Sequence, residues 1–128
     1  MPPRRCPCGT GLTYAECCGR LHDGTATAGT AEQLMRSRYS AFAVGDAGYL
    51  LATWHPTTRP HTLDLDPEVR WTGLDVLSTS GGSLLAAEGT VEFRAQHRGG
   101  RVAGAQHELS RFVREGGRWF YLDGTSLS

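Results

Sequence analysis

Three glycine pairs divide the second half of the chain: Gly81-Gly82, Gly99-Gly100 and Gly116-Gly117. Glycine accepts the left-handed backbone of a tight hairpin, so each pair reads as a turn. The runs between them alternate with period two. Leu85, Ala87, Val91, Phe93 and Ala95 alternate with Glu88, Glu92 and Arg94. His107, Leu109, Arg111 and Val113 alternate with Glu108, Ser110, Phe112 and Arg114, and Trp119 and Tyr121 with Phe120 and Leu122. The first strand of the set begins at Trp71. Connections this short permit only antiparallel neighbours, so the chain from Trp71 onward is expected to form a bent antiparallel meander. Gly89, inside the second strand, predicts a bend or bulge.

Ahead of the meander the period changes. Thr30 and Gln33 have the spacing of a capping box. Leu34, Met35, Arg38, Tyr39 and Phe42 then recur at helical intervals, and Gly45 supplies the stop. Asp46 is placed to cap a second helix carrying Tyr49, Leu50, Leu51 and Trp54, which Pro56 halts near His55. Asp66-Pro67 predicts a further short helix. Helices first and a meander after them define an α+β domain with the helices packed on one face of the sheet.

All four cysteines lie at the other end, in CPCGTGLTYAECCG, residues 6–19. Gly9 and Gly11 let the backbone fold back, and Tyr14 to Cys18 can form a helical turn. Cys6, Cys8, Cys17 and Cys18 then converge, and four thiolates in a tetrahedron suit one closed, structural zinc ion. Such a site has no open position for a substrate. A disulfide between Cys6 and Cys8 or between Cys17 and Cys18 closes a very small, strained ring. The spacing matches neither common ferredoxin run.

Compartment decides between metal and disulfides. The start, Met-Pro-Pro-Arg-Arg-Cys, lacks the apolar middle of a signal peptide, and no run approaches the length of a membrane span. A cytoplasmic protein with no membrane insertion is expected, where clustered cysteines bind metal. Thirteen arginines balance thirteen acidic residues and lysine is absent, which argues against strong general nucleic-acid binding. A local basic patch is not excluded: Arg4, Arg5 and Arg20 flank the cluster and could offset the charge of about −2 on a tetrathiolate zinc site, either as solvated surface arginines or as a small basic face for an anionic partner.

Residues 1–20 therefore read as a zinc knuckle, 21–29 as a small polar linker with His22 exposed in it, and 30–128 as the α+β domain. Removing residues 1–20 is expected to leave that domain folded.

CPCGTGLTYAECCG resembles the SEC-C motif, the zinc knuckle of the SecA translocation ATPase. The family pattern is Cys-x-Cys-x-Ser-Gly, a spacer with an aromatic, then Cys followed by Cys or His. Thr10 replaces the usual Ser and keeps its hydroxyl; Tyr14 matches the aromatic. The resemblance implies that Cys6, Cys8, Cys17 and Cys18 are the ligands. In SecA-type proteins the motif docks protein partners, including the SecB chaperone and the ribosome.

LMRSRYSAF, YLLATWHPTTRP, GTVEFRA, HELSRF and GRWFYLDG resemble the YchJ family of uncharacterised bacterial proteins. The resemblance implies a SEC-C knuckle joined to a cone-shaped nuclear-transport-factor-2-like (NTF2-like) domain. Many YchJ-like proteins carry a second knuckle after that domain; here only a few residues follow Asp123-Gly124. The NTF2-like fold often encloses a pocket between helix and curved sheet.

Arg38, His55, His107 and Arg111 are the candidate pocket residues. Arg38 shares a helix with inward-facing residues and needs a carboxylate partner if buried: Glu92, Glu108 or Asp123. Arg38 and Arg111 could instead clamp an anion. His107 shares a face with Leu109 and Val113 and is expected to be a hydrogen-bonded inner histidine, although Glu92 and His107 would make an acid–base pair if they met across adjacent strands. His55 stands where a helix ends. No nucleophile elbow, phosphate loop or dinucleotide fingerprint occurs, so no catalytic residue is assigned. The first expectation is a non-enzymatic module that docks a protein or ribosome-associated partner through its knuckle, with the sheet offering a second surface, such as a homodimer contact. The second is a small-molecule binder or enzyme using the cavity. The third is a redox switch that releases zinc when its thiolates oxidise.

Overall fold

The computed structural model describes residues 4–99 and 104–127; Gly100, of the second glycine pair, lies outside them. Three helices precede four strands: α1 Cys18–His22, α2 Ala31–Val44, α3 Ala47–Ala52, β1 Arg70–Gly81, β2 Glu88–Arg98, β3 Gly104–Glu115 and β4 Arg118–Ser126. The strands form one sheet in the order β1-β2-β3-β4, each antiparallel to the next. This is the expected α+β meander.

Local chemistry sets the helix ends. The Gln33 N–H donates to Thr30 Oγ1 at 3.1 Å, and the Gln33 side chain accepts from the Gly29 N–H, one residue earlier than a standard capping box. Gly45 closes α2 with φ 82° and donates its N–H to Ala41 O. Asp46 caps α3 by accepting from the Tyr49 N–H. That helix ends at Ala52, and Trp54 instead forms a parallel bridge with Tyr121 of β4.

The core forms where α2 lies against the sheet. Leu34, Met35 and Tyr39 pack with Val91, Phe93 and Ala95 of β2, Phe112 of β3 and Trp119 of β4.

Four expectations need correction. Asp66-Pro67 makes a turn and not a helix: Asp66 caps the Glu68 N–H, and β1 begins at Arg70. Leu85 is 94% exposed in the β1–β2 loop, ahead of β2. Gly89 is not a bulge. A Cβ there would stand 2.5 Å from Gly82 Cα, so the glycine permits close backbone approach; the irregularities sit at Trp71/Gly73, Val76/Ser78 and Arg111/Phe112. Gly89→Ala should therefore cost about 1–3 kcal/mol; an unchanged urea midpoint would contradict this packing.

The fourth correction is the facing of β3. Val91 pairs with Ser110 and Phe93 with Glu108, and directly paired residues share a face. Ser110 and Phe112 are buried on the inner side, so His107, Leu109, Arg111 and Val113 take the outer side. Placing the Phe112 ring inside outweighs placing two smaller aliphatic side chains there.

Candidate metal centre and cavity

The knuckle is a small hairpin followed by a turn. The Cys6 N–H donates to Leu12 O and the Tyr14 N–H to Arg4 O, while Gly9 and Gly11 take φ of 85° and 90°. The Cys17 and Gly19 N–H groups both bond Tyr14 O, which turns the chain into α1. This returns Cys17 and Cys18 to the hairpin.

All four Sγ atoms lie within 4.8 Å of one another, with Cys8–Cys17 at 3.6 Å and Cys17–Cys18 at 3.9 Å. None is in a disulfide. Cys6, Cys8 and Cys18 are buried. Such convergence of four thiols on one point is compatible with a bound metal ion. A hydrogen bond from Cys18 holds the Cys8 thiol down at about 4, and the same interaction pushes Cys18 up. Burial raises Cys17.

The surroundings come from α2 as well as the knuckle. Thr10 Oγ1 lies 3.3 Å from Cys17 Sγ, and Ser40 Oγ lies 3.4 Å from Cys6 Sγ. Arg36 Nη1 donates to Cys8 O at 2.8 Å. His22 is not an exposed linker residue. Its Nδ1 is 2.5 Å from Tyr14 Oη and its Nε2 2.8 Å from Ser37 O, while Ser37 Oγ meets Tyr49 Oη. Cys6, Cys8 and Cys18 belong to the same apolar cluster as Leu34, Met35 and Tyr39. The sequence did not signal this docking. Its one trace is that Ser37 and Ser40 sit on the buried face of α2.

A second feature is a cavity of about 320 Å³ between α2 and the inner face of the sheet. Of the four pocket candidates, only Arg38 lines it. His55 is buried beside β4, with Nε2 2.7 Å from Glu115 and Nδ1 2.7 Å from Thr57. His107 is on the outer face, 2.7 Å from Glu92, whose carboxyl this bond lowers. The pair meets across the strands, but on the side of the sheet away from the cavity. Arg111 forms an exposed two-point ion pair with Asp123 at 2.6 and 2.5 Å. It cannot join Arg38 in a clamp.

Arg38 has no carboxylate within 4.0 Å among the described residues, contrary to the expected ion pair. Its Nη1 donates to Leu50 O and Thr53 Oγ1, both at 2.7 Å. Glu108 lines the same cavity, and burial pushes its carboxyl up. A raised carboxyl holds its proton more tightly in the folded state, so its contribution to stability falls as pH rises above the ordinary carboxylate range. Glu108→Gln removes that loss. The melting temperature should rise at pH 7 and be unchanged near pH 3, below the usual carboxylate value of about 4.3. A gain confined to acidic pH would have the wrong sign.

A helix-capped antiparallel meander with a cysteine knuckle fastened to its long helix defines an NTF2-like protein bearing a SEC-C motif. Among the described residues no helix is long and apolar enough to cross a membrane. Residues 30–124 match the family described as "YchJ, middle NTF2-like domain", and residues 5–20 match the SEC-C motif. The chain belongs to the YchJ family.

It is 59% identical over 127 residues to UPF0225 protein SCO1677 of Streptomyces coelicolor, covering 99% of each chain. It is 52% identical to a UPF0225 protein of Corynebacterium glutamicum, over 94% of this chain and 96% of that one. The solution structure of RPA3114, a SEC-C motif containing protein from Rhodopseudomonas palustris, superposes with a TM-score of 0.82 at 38% identity, covering 96% of this chain and 98% of that one. The crystal structure of a SEC-C motif containing protein from Psychrobacter arcticus gives 0.77 at 33%, covering 96% and 82%.

Proposed function

We propose that this chain is a non-enzymatic docking protein of the cytoplasm, whose knuckle is held by one structural zinc ion and offers a rigid surface to a protein or ribonucleoprotein partner. The observation that carries this is the spacing of the sulfurs. Zinc–thiolate bonds of about 2.3 Å imply tetrahedral edges of about 3.8 Å. The Cys8–Cys17 and Cys17–Cys18 separations are 3.6 and 3.9 Å. Cys6, Cys8, Cys17 and Cys18 would complete the shell and leave no position for a substrate. Thr10 and Ser40 would then be hydroxyl neighbours of the thiolates.

The outer side of the knuckle supports the docking role. Leu12 is 50% exposed at the hairpin, where Arg4 and Arg5 are exposed as well, with Glu16 on the turn that follows and Arg20 exposed on α1. An apolar tip with three exposed arginines against one carboxylate in the knuckle suits a partner that is acidic or carries phosphate.

Elemental mass spectrometry of freshly purified protein, beside a free-thiol count, tests the metal. One zinc per chain with masked thiols is expected; no zinc with four reactive thiols would remove the reading. Co-sedimentation with ribosomes tests the surface, comparing the natural chain with an Arg4→Ser, Arg20→Ser, Leu12→Ser variant that leaves every cysteine in place. Binding lost in the variant supports a ribonucleoprotein partner. Equal binding by both excludes this surface as the docking face.

A further inference from the structure

Arg38 is a fixed charge in the interior, 5% exposed, with no counterion in contact among the described residues. Tyr121 and Trp54 rings stand 4.5 and 5.1 Å from its guanidinium carbon. Burial lowers it only to about 10, so it remains cationic at neutral pH. Leu50 O and Thr53 Oγ1 engage Nη1; Nε and Nη2 have no partner among the described residues. A guanidinium offers five donors in a planar fork, and capping two acceptors at the end of α3 does not require a permanent charge.

Arg38 and Trp54 line the same cavity, whose other walls include Phe42, Trp71, Phe93 and Phe112. Its volume of about 320 Å³ falls in the range of small-molecule sites. A guanidinium fork with N–H groups to spare at one place and aromatic walls around it describe an amphipathic, negatively charged guest.

We propose that this cavity binds a small organic monocarboxylate, whose carboxylate accepts from the free N–H groups of Arg38 while its apolar body lies among the aromatic walls. The charge is limited to one. Among the described residues Arg38 is the only cation lining the cavity, and Glu108 lines it too, so a phosphate or dicarboxylate would leave negative charge uncompensated in an apolar space. This site shares no residue with the proposed docking surface, and either can fail without the other.

The test uses the full, metal-replete chain. Benzoate, octanoate and 2-naphthoate are titrated by calorimetry, with tryptophan fluorescence as a second readout, since Trp54 and Trp71 line the site. The neutral 2-naphthalenemethanol is the control. At least one carboxylate should bind at one per chain, and 2-naphthoate should bind more tightly than the alcohol. Arg38→Met, which replaces the charge with an apolar chain of similar length, should weaken carboxylate binding by about ten- to a hundredfold and leave the alcohol unaffected. Glu108→Gln should tighten it. If Arg38→Met does not fold, Glu108→Gln carries the test, with tighter binding expected. Failure of all three carboxylates to saturate overturns the proposal. So do equal affinities for acid and alcohol, or variants that bind like the natural chain.

Discussion

With the proposed zinc in the knuckle, Cys8→Ser should lose the metal and a large part of the stability together. Cys8 is fully buried, 3.6 Å from Cys17, and sits where the hairpin meets the rest of the cluster. A serine hydroxyl is smaller than a thiol and does not ionise to a soft anion, so three thiolates would remain around an open position. In a small metal domain the binding free energy is largely folding free energy, because the unfolded chain has no preformed site. The knuckle shares its core with α2, so the loss should spread beyond residues 6–18. A cost of about 5 kcal/mol is expected, a large fraction of the 5–15 kcal/mol typical of whole domains. Two measurements check this. On that reading zinc content should fall from one per chain to near zero, and the melting temperature should drop by about 15–25 °C. A strong chelator should bring the natural protein to the same state and leave the variant unmoved. A variant that melts with the natural protein, beside a natural protein indifferent to chelator, would mean that packing alone holds the knuckle.

What the sequence revealed depended on how local each signal was. Cys6, Cys8, Cys17 and Cys18 fall inside thirteen residues, so spacing alone brings them within reach of one point. The caps at Thr30, Gly45 and Asp46 were legible for the same reason: donor and acceptor lie within about one helical turn. The facing of β3 was not local. Its two faces carry comparable apolar bulk, and the choice is made by pairing with β2 and by the bulk of Phe112. Helix α1 gave no periodic signal, because five residues, one of them Gly19, are too few. Asp66-Pro67 has the chemistry of a helix start, but β1 begins before a helix can form.

The candidate pocket shows the same division. Arg38 was legible as an inward-facing cation because it shares a helical face with Leu34, Met35 and Tyr39. Its partner was not, because a buried cation points to a carboxylate, whereas the structure supplies aromatic rings, a carbonyl and a hydroxyl. His55, His107 and Arg111 lie where strand register and the β4 bridge put them, and single-residue chemistry carries no information about either.

Removing residues 1–20 should destabilise the remaining chain severely, contrary to the modular expectation from sequence. The knuckle does not hang from a tether. Cys6, Cys8 and Cys18 pack in one cluster with Leu34, Met35 and Tyr39, and Leu21 is buried next to them in sequence. Truncation would open this face of α2 to water and strand its polar groups. Ser40 would lose Cys6, Arg36 would lose the Cys8 carbonyl, and His22 would lose Tyr14. Uncovering such a face resembles a large-to-small core change made at several positions at once, each costing about 2–5 kcal/mol. The meander itself stays intact in sequence, so the expected product is compact, with strand content retained and tertiary packing lost. Far- and near-ultraviolet circular dichroism separate the outcomes. Near-ultraviolet signal from the tryptophans should collapse while far-ultraviolet signal persists, and a hydrophobic dye should bind. A truncated chain with sharp near-ultraviolet bands and a cooperative melt would restore the two-module view and reduce the knuckle to an appendage. The same experiment bears on docking. If the knuckle and α2 stand or fall together, a partner that grips the knuckle also grips the helix forming one wall of the cavity.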